Sequence, residues 1–315
     1  MQIKFIVLTI LIILFSCDKQ QDAVGNHNEL IVITSYEDKE FVKLHLYDII
    51  YKYINTPVEE KIYNVKFIKP EKFSHYKFHK NLIIASLKHP IDDTIDLLYN
   101  RFSESYKESN IFTLKNLYAN GQIIILLGAH DSIQFEENII TNKEWIENEI
   151  TENVNFNIYS SYKNREVNPK IEKIINDNFA IDLFIDEDYK IINSTKDFLW
   201  IGRGFPYRWF MLYKDTITTK DDYWNMYSTL LYNNTDGINI SKYYKNKYID
   251  DSYVLLTGLY EHEISDTGGP FFVYIFENNT NNEVILVSGF VNNPGKDKYP
   301  LLNEMKVLVK NMKRK

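Results

Sequence analysis

The first pattern in the chain is an apolar run over residues 5–15, interrupted by Thr9 alone and preceded by Lys4 as its single charge. About a dozen residues fall well short of the ~20 that a helix needs to cross the hydrocarbon core of a bilayer. A short basic start, an apolar stretch and small residues at its end form the pattern of an export signal, so residues 1–16 are expected to be removed. Residues 17–28 are polar and without period, and predict a flexible tether. From residue 29 the pattern changes to that of a packed globule. Residues 29–34 (ELIVIT) form a nearly continuous apolar run, the pattern of a buried strand. Ser35 and Asp38 have the spacing of a capping box. Phe41, Leu44, Tyr47, Ile50, Tyr51 and Ile54 recur at helical spacing, and Pro57 stands just beyond them.

Residues 63–68 alternate like a half-buried strand, while residues 81–87 and 122–127 predict central strands. Between these two, residues 91–102 suit a helix through Ile91, Ile95, Leu98, Tyr99 and Phe102. A further helix is predicted over residues 134–152, with a break near Thr141. Residues 153–169 are polar and aperiodic, and are expected to link an N-terminal α/β half (29–152) to a C-terminal α+β half (170–315).

The C-terminal half predicts a short helix at 170–176, strands at 180–185, 197–202 and 209–216, and a helix at 221–232. A polar connection or edge feature follows at 233–251. Three further strands are predicted at 253–261, 271–277 and 283–291, with a hairpin loop at 278–282. The last helix carries Pro300 in its first turn, where proline is tolerated. Leu301, Leu302, Met305, Leu308 and Val309 form its apolar stripe, and Lys310, Lys313, Arg314 and Lys315 lie where a helix C-terminus favours cations. The expected fold class is α+β. Two mixed layered halves are predicted, the second built mainly of antiparallel strands capped by the C-terminal helix.

Composition sharpens the picture of the N-terminus. The chain contains one cysteine, Cys17, and it follows Leu14-Phe15-Ser16 directly. This segment resembles a lipobox, the site at which a signal peptide is cut before a diacylated cysteine. Lipidation of Cys17 with palmitate-type chains predicts an envelope lipoprotein, facing the periplasm or the cell surface and held at the outer rather than the inner membrane. Several acyl chains on one residue anchor far more firmly than one. The body after Cys17 has no thiol, hence no disulfide and no thiolate metal site. The chain carries 36 basic and 43 acidic residues, a formal charge of -7. Without a strongly basic segment, nucleic acid is not an expected partner.

Three stretches in the C-terminal half resemble a family of bacterial lipoproteins called domain of unknown function 4837. They are Thr257-Gly258-Leu259-Tyr260, then Gly268-Gly269-Pro270-Phe271 reached through Asp266, then Ser288-Gly289-Phe290-Val291 with Pro294 and Lys296-Asp297-Lys298. Phe198-Leu199-Trp200 fits more loosely. Thr257, Tyr260, Thr267 and Ser288 stand where the family pattern has Arg, Trp, Met and Glu. The resemblance implies a cell address and no reaction. In physical terms Gly268-Gly269-Pro270 predicts a turn, with glycine at positive φ. Gly258 and Gly289, inside strand patterns, predict bulges or close packing.

Residues that could carry chemistry are few. Glu261-His262-Glu263 alternate on a strand, so the two carboxylates and the imidazole face opposite ways. His75 and His79 have the i, i+4 spacing of a helical zinc pair, without the glutamate of a zinc peptidase. His130-Asp131 follows a predicted central strand, a common ligand position in α/β sheets. No nucleophile elbow, phosphate loop or dinucleotide fingerprint is present. No catalytic residue, metal or cofactor is therefore expected. Tyr207, Arg208 and Trp209, within an aromatic-rich stretch from Phe205 to Phe210, are candidate binding residues if exposed. The expected role is a non-enzymatic module that binds an envelope protein or glycan or supports envelope assembly. The competing expectation is an envelope hydrolase or metal-dependent enzyme using His130 or Glu261-His262-Glu263.

Overall fold

Residues 29–33 begin the described core, and their apolar run does what its pattern predicts. The computed structural model describes residues 20–87, 93–103, 110–216, 222–263, 267–278 and 283–314. In chain order the elements of the N-terminal half are β1 (Glu29–Ile33), α1 (Lys39–His45), α2 (Tyr47–Ile50), β2 (Tyr53–Asn55), β3 (Glu59–Lys61), β4 (Asn64–Ile68), α3 (Phe73–Tyr76), β5 (Asn81–Ser86), α4 (Asp93–Ser103), β6 (Ile111–Lys115), β7 (Ile123–Gly128) and α5 (Ser132–Tyr162). They are followed by α6 (Pro169–Phe179), β8 (Ile181–Asp182), β9 (Lys190–Ser194), β10 (Phe198–Arg203), β11 (Tyr207–Thr216), α7 (Tyr223–Asn234), β12 (Ile238–Ile240) and β13 (Asn246–Ile249). The chain closes with β14 (Val254–His262), β15 (Thr267–Asn278), β16 (Glu283–Asn292), α8 (Tyr299–Lys310) and β17 (Lys313–Arg314). The fold is α+β. Contacts group the residues up to Tyr47 with Val65–Asn153 as a first unit, and Asp48–Asn64 with Val154–Lys315 as a second.

In the first unit, the described residues form a five-stranded sheet in the order β4-β1-β5-β7-β6. β1, β5 and β7 are parallel, with Ile31 beside Leu82 and Leu82 beside Ile124, and β6 is antiparallel to β7. Every residue of β5 and β7 is buried. Strands covered on both faces need apolar side chains at every position, which is why these two read as unbroken runs. α4 supplies Ile95, Leu98, Tyr99 and Phe102 to the core that Ile31, Ile84 and Leu126 share. Ser35 and Asp38 bond reciprocally just before α1, at 2.8 and 2.9 Å.

Several expectations for this half are corrected. Helical spacing suggested one helix through Ile54. Instead α1 and α2 end at Ile50, and Tyr53–Asn55 pairs with Glu59–Lys61 as a hairpin that belongs to the second unit. The expected tether is not free from Gln20 onward. The Ala23 amide donates to the Asn120 carbonyl (2.8 Å), that of Val24 to Phe78 (2.9 Å), and Lys80 returns a bond to Val24 (3.1 Å). Open loop carbonyls beside β5 and β7 supply partners that the polar composition did not reveal. Buried Asn81 reinforces the contact by donating to the His27 and Glu29 carbonyls, both at 3.0 Å. Cys17 and the export segment lie outside the described residues. The expected linker at 153–169 is also corrected: α5 runs without a break past Thr141 to Tyr162. Phe135, Ile139, Ile146, Ile150, Val154, Ile158 and Tyr162 keep a buried stripe along it despite the polar residues between them.

In the second unit, the described strands form an eight-stranded sheet, ordered β12-β14-β15-β16-β11-β10-β9 with β13 also paired to β14. Neighbouring strands in this sheet are antiparallel. Strand alternation divides its side chains between two faces. Phe198, Met211, Val273, Phe271 and Phe290 pack under Tyr227, Leu230 and Leu231 of α7. The opposite face packs against α8 along β15 and β16, and α8 buries Leu302, Met305, Val307, Leu308 and Val309. The polar segment 233–251, expected as a connection or edge feature, supplies the edge strands β12 and β13.

Gly258 and Gly289 lie in strands as expected, but the Gly268-Gly269-Pro270 motif forms strand rather than turn. Gly268, Gly269 and Pro270 lie in β15, opposite Glu261, Tyr260 and Leu259, and neither glycine has a positive φ. The turn expectation is therefore corrected. The reason for glycine is space: a Cβ at Gly269 would collide with the Val291 carbonyl oxygen. At Gly289 a Cβ would strike the Phe272 ring, so the missing side chain makes room for an aromatic neighbour. Pro270 sits just before the point where the register with β16 begins at Phe271, so its missing N–H interrupts no ladder there. Asp266 lies outside the described residues.

Candidate functional site

The second unit contains a cavity of about 190 Å³ whose four walls come from five stretches of the chain. Thr257 and Gly258 of β14 and Pro270 and Phe271 of β15 form one wall, and Leu302 and Lys306 of α8 form another. The β2 residues Tyr53, Ile54 and Asn55 close a third side, and Tyr244 and Asn246 a fourth. Motif positions from two separate stretches of the C-terminal half thus meet at one concavity. Gly258 widens it, because a Cβ there would press on the Phe271 ring at 3.1 Å.

The hairpin β2–β3 is held in this unit by Glu60. Its carboxylate is buried and accepts the backbone N–H groups of Lys298 (2.7 Å), the N-cap of α8, and Tyr299 (2.8 Å), its first residue. It also accepts the Thr56 hydroxyl, and the Lys298 ammonium lies 3.8 Å away. A carboxylate at this end of a helix satisfies orphan N–H groups and meets the positive end of the macrodipole.

Lys306 is the unusual group in the cavity. It forms no hydrogen bond or ion pair with the described residues, its nearest ring contact being Phe272 at 5.9 Å. Its surface keeps some access through the cavity, while the surrounding protein desolvates the ammonium. That burial, with a smaller contribution from Lys310, lowers its pKa from the ordinary lysine value to about 8. The apolar stripe noted in the sequence left Lys306 out. The signal was present nonetheless, since Leu302, Met305 and Val309 flank it within one arc of the helix.

Two other concavities carry less. One of about 350 Å³ is lined by Tyr253, Tyr274, Phe276, Lys310 and Arg314, whose two cations are solvated. One of about 170 Å³ lies in the first unit beside Thr34, Ser35 and Lys69, at the end of β1.

The candidates from sequence do not converge. His130 is exposed, and Asp131 accepts the Gln134 amide (2.8 Å) while Gln134 accepts that of His130 (2.7 Å), so the pair caps α5. His75 and His79 do not share a helix, because α3 stops at Tyr76; His79 instead lies 3.6 Å from the Glu29 carboxylate. Glu261 and Glu263 are exposed on either side of half-buried His262, and Glu263 accepts the Asn239 amide at 2.7 Å. Among the described residues, no group of three or more His, Cys, Asp or Glu side chains is placed to hold a metal, and no helix is long and apolar enough to cross a membrane.

The aromatic stretch splits by strand alternation. Phe205 and Tyr207 are exposed, Trp209 is half-buried and stacks on Tyr207 (6.1 Å, 5°), and Arg208 is buried. Arg208 is therefore not available as a surface hot spot: it pairs with Glu304 of α8 at 3.1 Å, and Glu304 also accepts the Tyr162 hydroxyl (2.9 Å). Nearby, Arg203 and Arg165 share Asp186, at 2.7 and 3.7 Å. Burial raises the Asp186 carboxyl above its usual range against the pull of these arginines.

Fold and site define a two-unit α+β chain with a polar, cation-bearing cavity in its second unit. Residues 168–311, in the C-terminal half of the chain, match the family described as Domain of unknown function (DUF4837). Residues 23–163 match the family described as Domain of unknown function (DUF8532). No curated protein matches the sequence. Among solved structures, the Ran-binding protein Mog1p of Saccharomyces cerevisiae is 9% identical with a TM-score of 0.31, over 42% of this chain and 89% of that one. LpqN of Mycobacterium tuberculosis, described as involved in cell envelope biogenesis, is 12% identical with a TM-score of 0.28, over 42% of this chain and 81% of that one. A Bacteroides thetaiotaomicron protein is 9% identical with a TM-score of 0.26, over 43% and 45%. These likenesses are too distant to carry a functional argument.

Proposed function

We propose that the chain is a lipid-anchored module of the bacterial cell envelope that holds a ligand rather than transforming one. The observation that carries this reading is the order of the first seventeen residues: Lys4, the apolar run 5–15, then Ser16 and the chain's one cysteine. A run too short to span a bilayer and a thiol directly after it fit a signal that is cut and a residue that is acylated. On this reading the polar stretch after Cys17 is short, since the segment from Gln20 already pairs with the first unit. Capture rather than catalysis is favoured by the Lys306 cavity, which offers a cation and carboxamides to a guest.

The test is a Cys17→Ala variant expressed in a bacterial host, followed by membrane fractionation and labelling with radioactive palmitate. The wild type is expected to sediment with membranes and carry label, and the variant to lose both. A variant that sediments and is processed like the wild type would sink the anchor reading.

A further inference from the structure

We propose that the cavity between β2, β14, β15 and α8 is a binding site for a small organic carboxylate with an apolar body, and that Lys306 is the group that pairs with its charge. The inference deepens the ligand-holding reading above by naming the ligand class.

A half-buried ammonium lining a cavity without a counter-ion is costly to the extent that the surrounding protein takes away its water and nothing replaces it. Proteins remove that cost with a carboxylate or a carbonyl cluster; among the described residues, the walls of this cavity contain no acidic one. A guest carboxylate would supply both the missing charge and a charge-assisted hydrogen bond, the stronger kind. The remaining walls sort by chemistry. Ile54, Leu302, Pro270 and the Phe271 ring suit hydrocarbon, while Asn55 and Asn246 offer amides that both donate and accept. With one cation lining it and a volume of about 190 Å³, the site matches a guest with a single negative charge. A phosphate dianion is less well served. It is usually met by several donors or a bidentate arginine, and the neighbouring Lys310 lines a different concavity.

The site is also assembled rather than incidental. The β2 residues on its third side come from the N-terminal half, more than two hundred positions before α8, and Glu60 fixes their hairpin to the first turn of that helix. The polypeptide thus brings a distant hairpin against Lys306 but, among the described residues, provides it with no anion.

The experiment is calorimetric titration and thermal-shift measurement on the purified protein at pH 7. Isovalerate, its neutral amide isovaleramide and inorganic phosphate serve as probes. Isovalerate is expected to bind with a Kd of about 1 mM or tighter, with the amide and phosphate at least about tenfold weaker. In Lys306→Met the preference for the acid over the amide should vanish. Lys306→Gln, which keeps a polar side chain of similar length, should behave the same way and covers the case in which the methionine variant folds poorly. Equal binding of acid and amide, stronger binding of phosphate, no binding of isovalerate, or an unchanged acid preference in both variants would each overturn the proposal. Failure here is distinct from failure of the anchor reading, because these titrations are independent of Cys17.

Discussion

At the scale of single residues, Lys306 and Glu60 show how burial decides what a charge does. Glu60 is buried with four donors around it and is structural. Lys306 is desolvated with no hydrogen-bond or ion-pair partner among the described residues, and its native pKa, about 8, lies below the 10.5 of the exposed side chain. The native state therefore binds fewer protons than the unfolded chain between these values. Stability falls as the pH drops from above 10.5 through 8, and it levels off below. The titratable groups that share the surroundings of Lys306 are Tyr53, Tyr244 and Lys310. Lys306→Met should accordingly raise the urea midpoint at pH 7 by an amount worth about 1–3 kcal/mol, the lower end reflecting solvent access through the cavity. The difference should shrink towards zero near pH 11. A methionine variant less stable than the wild type at pH 7 would contradict the desolvation argument. The lysine was passed over in the sequence, although Leu302, Met305 and Val309 share its arc, because a lone cation in an amphipathic helix is usually a solvated one. Arg208 misleads for the converse reason: strand alternation turns it inward between exposed Tyr207 and half-buried Trp209.

At the scale of elements, the hairpin Tyr53–Asn55 and Glu59–Lys61 and the helix Tyr299–Lys310 are coupled across the chain. Glu60→Ala would leave two buried N–H groups at the start of the helix without an acceptor, at a cost of about 2–4 kcal/mol. Chemical denaturation should register that loss, and isovalerate affinity should fall with it as the hairpin loosens. An alanine variant of wild-type stability would show that the cap contributes nothing. Long, strongly patterned elements were legible before the structure: both central strands β5 and β7, the four longer strands of the second sheet and α8 follow their apolar patterns closely. Short edge strands were not. β9 and β13 are exposed at every position, so their few apolar residues do not alternate with polar ones as in a half-buried strand, and their pairing comes from the neighbouring strand. The β2 hairpin was hidden because Tyr51 and Ile54 fall on helical spacing from the preceding turns. The polar content of 153–162 obscured the end of α5, whose buried positions continue every three to four residues.

At the scale of the molecule, the two family matches at 23–163 and 168–311 meet close to the end of α5, whereas contacts assign Asp48–Asn64 to the second unit. Sequence relatedness and packing thus divide the chain differently. The segment responsible is the one that walls the Lys306 cavity. On the proposed arrangement, acyl chains at the front hold such a body at a membrane surface. Mass spectrometry of the N-terminal peptide of the mature protein tests that arrangement most directly. The predicted result is a chain that starts at Cys17 with acyl chains attached and yields no peptide from residues 1–16. An unmodified Cys17 within an intact N-terminus would contradict it.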